Sequence, residues 1–269
     1  MTAATTTVEG AHVLTRRSVF RHELLPLYRR SLRNWLRVPA AVIPPLFIPV
    51  FFLTVNTAAL DNVAQFFAED YVAFFVPVTL LMTVATVGNG SGMSMVQDID
   101  TGYFDKLLLA PIRRDAILLA RLMVDGTRAA LQALIVLLVA LAIGADIATG
   151  PVGALVAISM AFGFGLAYAG IGLNVAIRTG SAEATQSSMI FFFPLVFLAP
   201  SFVPLEQMAD WLQTVARFNP MTYVIEAMRG LTLTGWNGTE LLTGFAAIAA
   251  IGTITLGGAF RALKARASQ

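Results

Sequence analysis

The most constraining feature of this sequence is a series of apolar stretches, each close to the length that crosses a lipid bilayer. A membrane-spanning helix needs about 20 predominantly apolar residues. Stretches of this kind occupy residues 38–57, 71–96, 127–143, 152–177, 185–203 and 240–260. Charged residues make up only 13% of the chain, against about 25% in soluble domains. The sequence therefore predicts an all-α integral membrane protein, one transmembrane domain over residues 1–269 with six spanning helices.

The distribution of basic residues predicts which ends of these helices face the cytoplasm, because Lys and Arg concentrate in cytoplasmic loops. Of the 18 basic residues, all but Arg217 and Arg229 fall on one face. They precede the first span, lie between the second span and the foot of the third, or follow the fourth and sixth spans. The loop after the first span instead contains Asp61, Glu69 and Asp70. We therefore expect both termini in the cytoplasm.

Residues 1–37 are expected to form a cytoplasmic tail that ends in an amphipathic helix. One face of this helix carries the apolar residues Leu24, Leu25, Tyr28, Leu32, Trp35 and Leu36, and the other carries Arg29, Arg30, Arg33 and Arg37. Such a pattern is typical of a helix that lies on the surface of an anionic leaflet.

The loop at residues 97–122 carries charged residues between two apolar runs. Phe104, Leu107 and Leu108 recur in it at helical spacing, and Pro111 ends the repeat. The pattern predicts a short amphipathic helix over residues 103–109, followed by a new helix that enters the membrane. A half-apolar, charged helix between two spans is suited to docking on a soluble partner. The candidate docking residues are Asp98, Asp100, Gly102, Tyr103, Phe104, Asp105, Lys106, Leu107, Leu108, Pro111, Arg113 and Arg114.

A second unusual stretch, residues 204–238, separates the fifth and sixth spans. Apolar residues repeat at helical spacing on both sides of a break at Asn219 and Pro220. Both halves are too apolar for free solution and too short to span, which favours half-helices that dip into the outer leaflet over a pair of surface helices. The residues of interest here are Trp211, Asn219, Pro220, Glu226 and Arg229. Glu226 and Arg229, three residues apart, are expected to form an ion pair that holds this turn together. The alternative is that they gate the outer exit.

Two stretches resemble a known family. DIDTGYFDKLLLAPIRRDAILLARL is similar to the signature of the ABC-2 type permeases, with Asp100, Gly102 and Pro111 at matching positions. FFFPLVFLAPSFVPLEQMADWLQTVARFNPMTYVIEAMRGL resembles the C-terminal block of the same family. The resemblance covers nearly the whole chain and is greatest to the branch of daunorubicin-resistance and antibiotic exporters. One departure is that family members commonly have Glu followed by Gly-Thr where this chain has Asp100, Thr101 and Gly102.

The resemblance implies the six-helix fold of ABC-2 (type V) exporters. The N-terminal amphipathic helix would be the connecting helix, and residues 103–109 would be part of a coupling helix seated in a groove of an ATPase. Residues 204–230 would form extracellular re-entrant helices. The implied function is that of a permease subunit in a bacterial inner membrane, which exports a hydrophobic or amphipathic substrate such as a drug, an antibiotic or a lipid-like molecule.

An exporter of this kind needs ATP and Mg on a partner ATPase, because the chain contains no GxxxxGK[ST] phosphate loop. We expect two ATPase copies and a second permease copy, identical or related, because one six-span subunit is small for enclosing a pathway. With no cysteine and no histidine in any span, neither a catalytic residue nor a cofactor or metal site is expected in this chain. A nucleic-acid partner is not expected either, because the basic residues mark a membrane face.

The alternative function is an ion-coupled secondary carrier that works without an ATPase. A carrier of this class requires an ionisable residue deep in the membrane. Asp125 is the nearest candidate, but Arg121 and Arg128 lie on the same helix at pairing distance, so an ion pair at the foot of the third span is the simpler interpretation.

Polar and aromatic residues within the spans are candidates for lining a substrate path: Asn56, Phe74, Phe75, Asn89, Asn174, Phe191, Phe192 and Phe193. The alternative is that they face lipid or pack against neighbouring helices.

Overall fold

The computed structural model describes residues 20–37, 43–64, 70–109, 113–188, 190 and 192–266. Within these ranges the chain is helical and contains no strand. Its α-helices are α1 (Phe20–Leu36), α2 (Ile43–Ala64), α3 (Tyr71–Asp100), α4 (Tyr103–Leu109), α5 (Arg114–Ala142), α6 (Gly150–Thr179), α7 (Ala182–Ser188), α8 (Phe192–Phe197), α9 (Asp210–Phe218), α10 (Pro220–Arg229) and α11 (Gly238–Arg266).

Four of the described helices, α3, α5, α6 and α11, are long and apolar enough to cross a membrane. Helix α2 adds a shorter apolar stretch over Ile43–Ala59. These helices correspond to five of the six predicted spans, and together they confirm an all-helical, multi-pass membrane protein. The count of six spans remains a prediction.

The predicted fifth span, residues 185–203, differs most from the structure. Helix α7 ends at Ser188, and α8 covers only Phe192–Phe197. After α8 the chain turns, and Ser201 donates its hydroxyl to the Val196 carbonyl at 2.6 Å. Pro200 lies in this turn and has no N–H to continue a helical hydrogen-bond ladder. A single helix through residue 203 therefore does not form.

Helix α6 lies at the centre of the described structure, where α3, α5 and α11 pack around it. Small residues permit these close approaches. A Cβ added at Gly172 would lie 2.7 Å from the Gly88 carbonyl oxygen of α3, and one at Gly165 would lie 2.5 Å from the Ala129 Cβ of α5. The glycine-rich faces of the third and sixth helices thus serve packing within this chain.

Helix α5 begins at Arg114, well before the predicted span at residues 127–143. Its charged first half continues the apolar half without a break, and α1 packs along it. The Tyr28 hydroxyl of α1 lies 2.9 Å from the Thr127 hydroxyl of α5. The end of the molecule that carries α4 is therefore built from α1, α3, α5 and the last turns of α6 and α11.

Candidate functional site

A tight turn places α4 across the ends of the long helices. Thr101 closes α3 by donating its hydroxyl to the Gln97 carbonyl at 2.8 Å. Gly102 follows with a φ of +66°, a left-handed conformation that costs little only for glycine. The chain then enters α4 at Tyr103 and leaves it at Leu109, the bounds that the sequence predicted.

Helix α4 has one buried side and one exposed side. Phe104 is 1% exposed and belongs to an apolar cluster that includes Met95 of α3, Leu118 of α5 and Leu263 of α11. On the other side, Asp105 and Lys106 are exposed and Leu109 is 87% exposed. Phe104 thus seats α4 on the long helices, and Asp105, Lys106 and Leu109 remain on its outer side.

The remaining predicted docking residues divide between the outer surface and the interior. Asp100, Arg113 and Arg114 are exposed near α4. Leu107 and Leu108 are partly buried. Asp98 instead forms an ion pair with Arg121, so its carboxylate is used within the chain. Pro111 lies outside the described residues.

Tyr103 joins α4 to the amphipathic helix α1. Its hydroxyl accepts a hydrogen bond from Arg30, whose guanidinium carbon also lies 4.9 Å from the centre of the Tyr103 ring. Such a contact between a cation and an aromatic face adds attraction to the hydrogen bond. The structure thus brings α1 and α4, predicted as separate surface helices, into direct contact.

A buried charged network lies behind α4. Asp125 is 1% exposed, accepts a hydrogen bond from the Ser91 hydroxyl and lies 3.4 Å from the Arg128 guanidinium. Arg128 also lies 5.3 Å from the centre of the Trp35 ring of α1. The predicted pairing of Asp125 is thus confirmed for Arg128, whereas Arg121 pairs with Asp98 on α3.

Two members of this network, Ser91 and Trp35, were not among the predicted site residues. Ser91 stands in the glycine-rich part of α3 and Trp35 on the apolar stripe of α1, and neither position signals a charged neighbour. Between α1, α3, α4 and α5 the structure leaves a cavity of about 440 Å³. Arg30, Asp98 and Arg128 contribute to its lining.

Three of the predicted path residues are buried inside this single chain. Phe74, Phe75 and Phe192 are at most 2% exposed, and the Phe192 ring is 5.1 Å from the Tyr168 ring. Two of the asparagines form hydrogen bonds: Asn56 donates to the Phe52 carbonyl at 2.8 Å, and Asn174 accepts from Arg178 at 2.7 Å. Asn89 is partly buried and Phe193 is exposed. Phe191 lies outside the described residues. A role for this set in a substrate path stays a prediction.

The break at Asn219 and Pro220 has the predicted form. Asn219 caps α10 by accepting a hydrogen bond from the Met221 N–H at 3.0 Å, and Pro220 is the first residue of the helix. Trp211 on α9 is 66% exposed. How deep α9 and α10 lie in the membrane stays a prediction.

The predicted ion pair between Arg229 and Glu226 does not form, and Arg229 contacts other groups instead. Arg229 donates to the Pro200 carbonyl at 2.7 Å, and its guanidinium lies 3.7 Å from the centre of the Phe74 ring. Carbonyls exposed by the turn after α8 thus compete successfully for the guanidinium, and Arg229 ties α10 to α3 and to that turn. Glu226 is partly buried on the same helix.

A comparison with protein families matches residues 22–233 to the model of the ABC-2 type transporter. The chain belongs to the ABC-2 type transporter family. The match extends from α1 through α10, so it includes α4, the buried network and the break at Asn219 that were described above.

This ABC-2 chain is similar in sequence to several proteins named as permeases. It is 25% identical over 207 residues to the probable doxorubicin resistance ABC transporter permease protein DrrC of Mycobacterium tuberculosis, covering 77% of this chain and 75% of that protein. It is 28% identical over 205 residues to the daunorubicin resistance ABC transporter permease protein DrrB1 of Streptomyces coeruleorubidus, covering 75% and 72%. The putative transport permease ycf38 of Cyanophora paradoxa is 27% identical over 221 residues, covering 79% and 74%.

Proposed function

We propose that this ABC-2 chain is the membrane-spanning permease subunit of an ABC exporter in a bacterial inner membrane. It moves a hydrophobic or amphipathic substrate, such as a drug, an antibiotic or a lipid-like molecule, from the cytoplasmic side outward. ATP with Mg is bound and hydrolysed by a separate ATPase subunit. Support comes from the family membership and from relatives whose names describe permeases of drug-resistance ABC transporters.

The observation that carries this proposal is the construction of α4. Its exposed side offers Asp105, Lys106 and Leu109 to a partner, and its buried side inserts Phe104 between the long helices. A partner that presses on α4 therefore acts through Phe104 on α3, α5 and α11 together. A helix that only covered the surface would lack this deep insertion.

The proposed transport cycle uses two permease subunits that face each other. Each permease copy, identical or related, receives one ATPase on its α4, and closure of the ATPase pair around ATP pushes both α4 helices. Because protein interiors are close-packed, the push shifts whole helices rather than compressing the cluster around Phe104. The spans then rock from an inward-open to an outward-open arrangement, and substrate leaves on the outer side.

The buried network argues against an ion-coupled carrier. A carrier needs an ionisable group that is free to bind and release its ion. Asp125 is held by Ser91 and Arg128. This engagement fits a structural role for Asp125, and we therefore favour the ATP-driven pump.

Charge reversal on the α4 surface tests the proposed docking. Asp105→Lys and Arg114→Glu place a wrong charge on a surface that meets the ATPase, and like charges brought together at an interface cost several kcal/mol. We expect each variant to insert in the membrane and, when co-purified with a candidate ABC ATPase, to carry at least about tenfold less of that ATPase than the wild type does. Arg217→Glu, on exposed Arg217 of α9, is the matched control and should retain the wild-type amount. Wild-type association of both variants, Asp105→Lys on α4 and Arg114→Glu at the start of α5, would contradict the assignment.

A further inference from the structure

A second cavity lies beside α4, at the ends of two membrane-spanning helices. Its volume is about 670 Å³, within the range of about 300–1,000 Å³ that is usual for small-molecule sites. The walls come from α4, from the end of α6 and from the last turns of α11. Its lining consists of Asp105, Leu108, Ile177, Arg178, Arg261, Ala262, Ala265 and Arg266.

The lining of this cavity carries more positive than negative charge. Three guanidinium groups, those of Arg178, Arg261 and Arg266, line it together with the single carboxylate of Asp105. Arg178 uses its Nε to bond Asn174, and Arg266 uses one nitrogen to bond the Ile177 carbonyl at 3.0 Å. Arg261 is exposed and forms no hydrogen bond or ion pair with the described part of the chain. Most of the guanidinium N–H groups are therefore available to an anion.

We propose that this cavity binds the phosphodiester head group of an anionic membrane phospholipid. Guanidinium groups bind phosphate oxygens through paired, charge-assisted hydrogen bonds. Basic pockets between spanning helices on the cytoplasmic side are the usual form of site for anionic head groups. The proposal rests on the cytoplasmic placement of α4 under the proposed function.

The apolar part of the lining favours a lipid over a soluble phosphate. Four apolar residues line the cavity beside the arginines: Leu108 and Ala265 keep accessible surface, and Ile177 and Ala262 are buried. Ile177, Ala262 and Ala265 stand where α6 and α11 leave their apolar spans, so we place the acyl chains of a bound lipid along these two helices. A free phosphate ion would gain nothing from this wall.

Native mass spectrometry of the full-length chain in neutral detergent tests the proposal. The probes are phosphatidylglycerol and phosphatidylcholine with identical acyl chains, each titrated into the wild type and into the variant Arg178→Gln with Arg261→Gln. A basic residue near an anionic surface contributes about 1 kcal/mol, or roughly fivefold in affinity, so the double variant should bind phosphatidylglycerol roughly 25-fold more weakly. The single variant Arg261→Gln should lose roughly fivefold, and Arg217→Gln, which removes an exposed charge elsewhere, should match the wild type.

The variant Arg261→Lys keeps the charge and serves as the folding control, because it should retain most of the phosphatidylglycerol binding. Equal binding of the two lipids by the wild type would overturn the proposal, as would displacement of phosphatidylglycerol by inorganic phosphate. Co-purification of the ATPase with the double variant should be unchanged. Loss of the ATPase with intact lipid binding would assign the cavity to the ATPase interface instead. Lipid binding is measured without the ATPase. A failure of the export proposal would therefore not change the lipid-binding result, and the two proposals can fail independently.

Discussion

Two oppositely charged residues, Asp125 and Arg128, are largely buried behind α4. Asp125 and Arg128 are both largely removed from solvent, with side-chain exposures of 2% and 19%. Burying an ion pair is costly in itself, and the pair persists because each charge compensates the other and further contacts come from Ser91 and Trp35.

Removing one charge of this pair should destabilise the protein more than removing both. Asp125→Asn leaves the Arg128 guanidinium buried without its counter-ion, which should cost about 3 kcal/mol of unfolding free energy. Adding Arg128→Met removes the orphaned charge and should recover most of that loss. The midpoint of unfolding in detergent, compared among the wild type, the single variant and the double variant, measures the effect. A single variant as stable as the wild type would contradict the structural role of the pair.

Residue spacing predicted one local ion pair correctly and another wrongly. The three-residue spacing of Asp125 and Arg128 places them on one face of any helix. The spacing of Glu226 and Arg229 is the same, yet Arg229 bonds the carbonyls of distant residues because the turn after α8 brings them close. Spacing indicates which pairs are feasible, whereas tertiary packing decides between competing partners.

The helices themselves were predictable to different degrees. Helix α4 has the predicted bounds because Gly102 and Pro111 mark its ends in the sequence. Helix α5 begins at Arg114, in agreement with the new helix predicted after Pro111. The predicted span at residues 127–143 covers only its apolar part, because hydropathy does not detect the charged half that packs on α1 and α3. The fifth span was predicted as continuous to residue 203, but α8 ends at Phe197 and the chain turns after it. The prediction was wrong there because a run of apolar residues does not show where the chain turns.

Close packing of α3 on α6 gives a prediction at the level of these elements. A methyl group at Gly172 would meet backbone atoms of α3, so Gly172→Ala must push the two helices apart, at a cost of about 1–3 kcal/mol in unfolding free energy. Gly90→Ala on α3 is the matched control, because nothing lies within 4 Å of its added Cβ. The control should be neutral or up to about 1 kcal/mol more stable, as alanine is the better helix former. Thermal unfolding in detergent distinguishes the two, and equal midpoints would argue against the close contact.

The whole molecule combines a seated α4 at one end with a capped break at Asn219 in the segment between α8 and α11. These two regions were the clearest predictions from the sequence, because each interrupts an otherwise apolar chain with charges, proline and glycine. The structure adds the links between them: α3 contacts α4 and also α10, where Arg229 lies over Phe74. Under the proposed function, a push on α4 would pass along α3 to α10, because α4 and α10 both contact α3.

The most direct test of this account is the side of the membrane on which α4 lies. The chain has no cysteine, so single cysteines can be introduced without background. Lys106→Cys reports on exposed Lys106 of α4, and Thr239→Cys reports on exposed Thr239 at the start of α11. In intact cells that express this chain without the ATPase, a membrane-impermeant maleimide should label Thr239→Cys, and it should label Lys106→Cys only after the membrane is opened. Labelling of Lys106→Cys in intact cells would place α4 outside, where no ATPase can reach it, and would contradict the account.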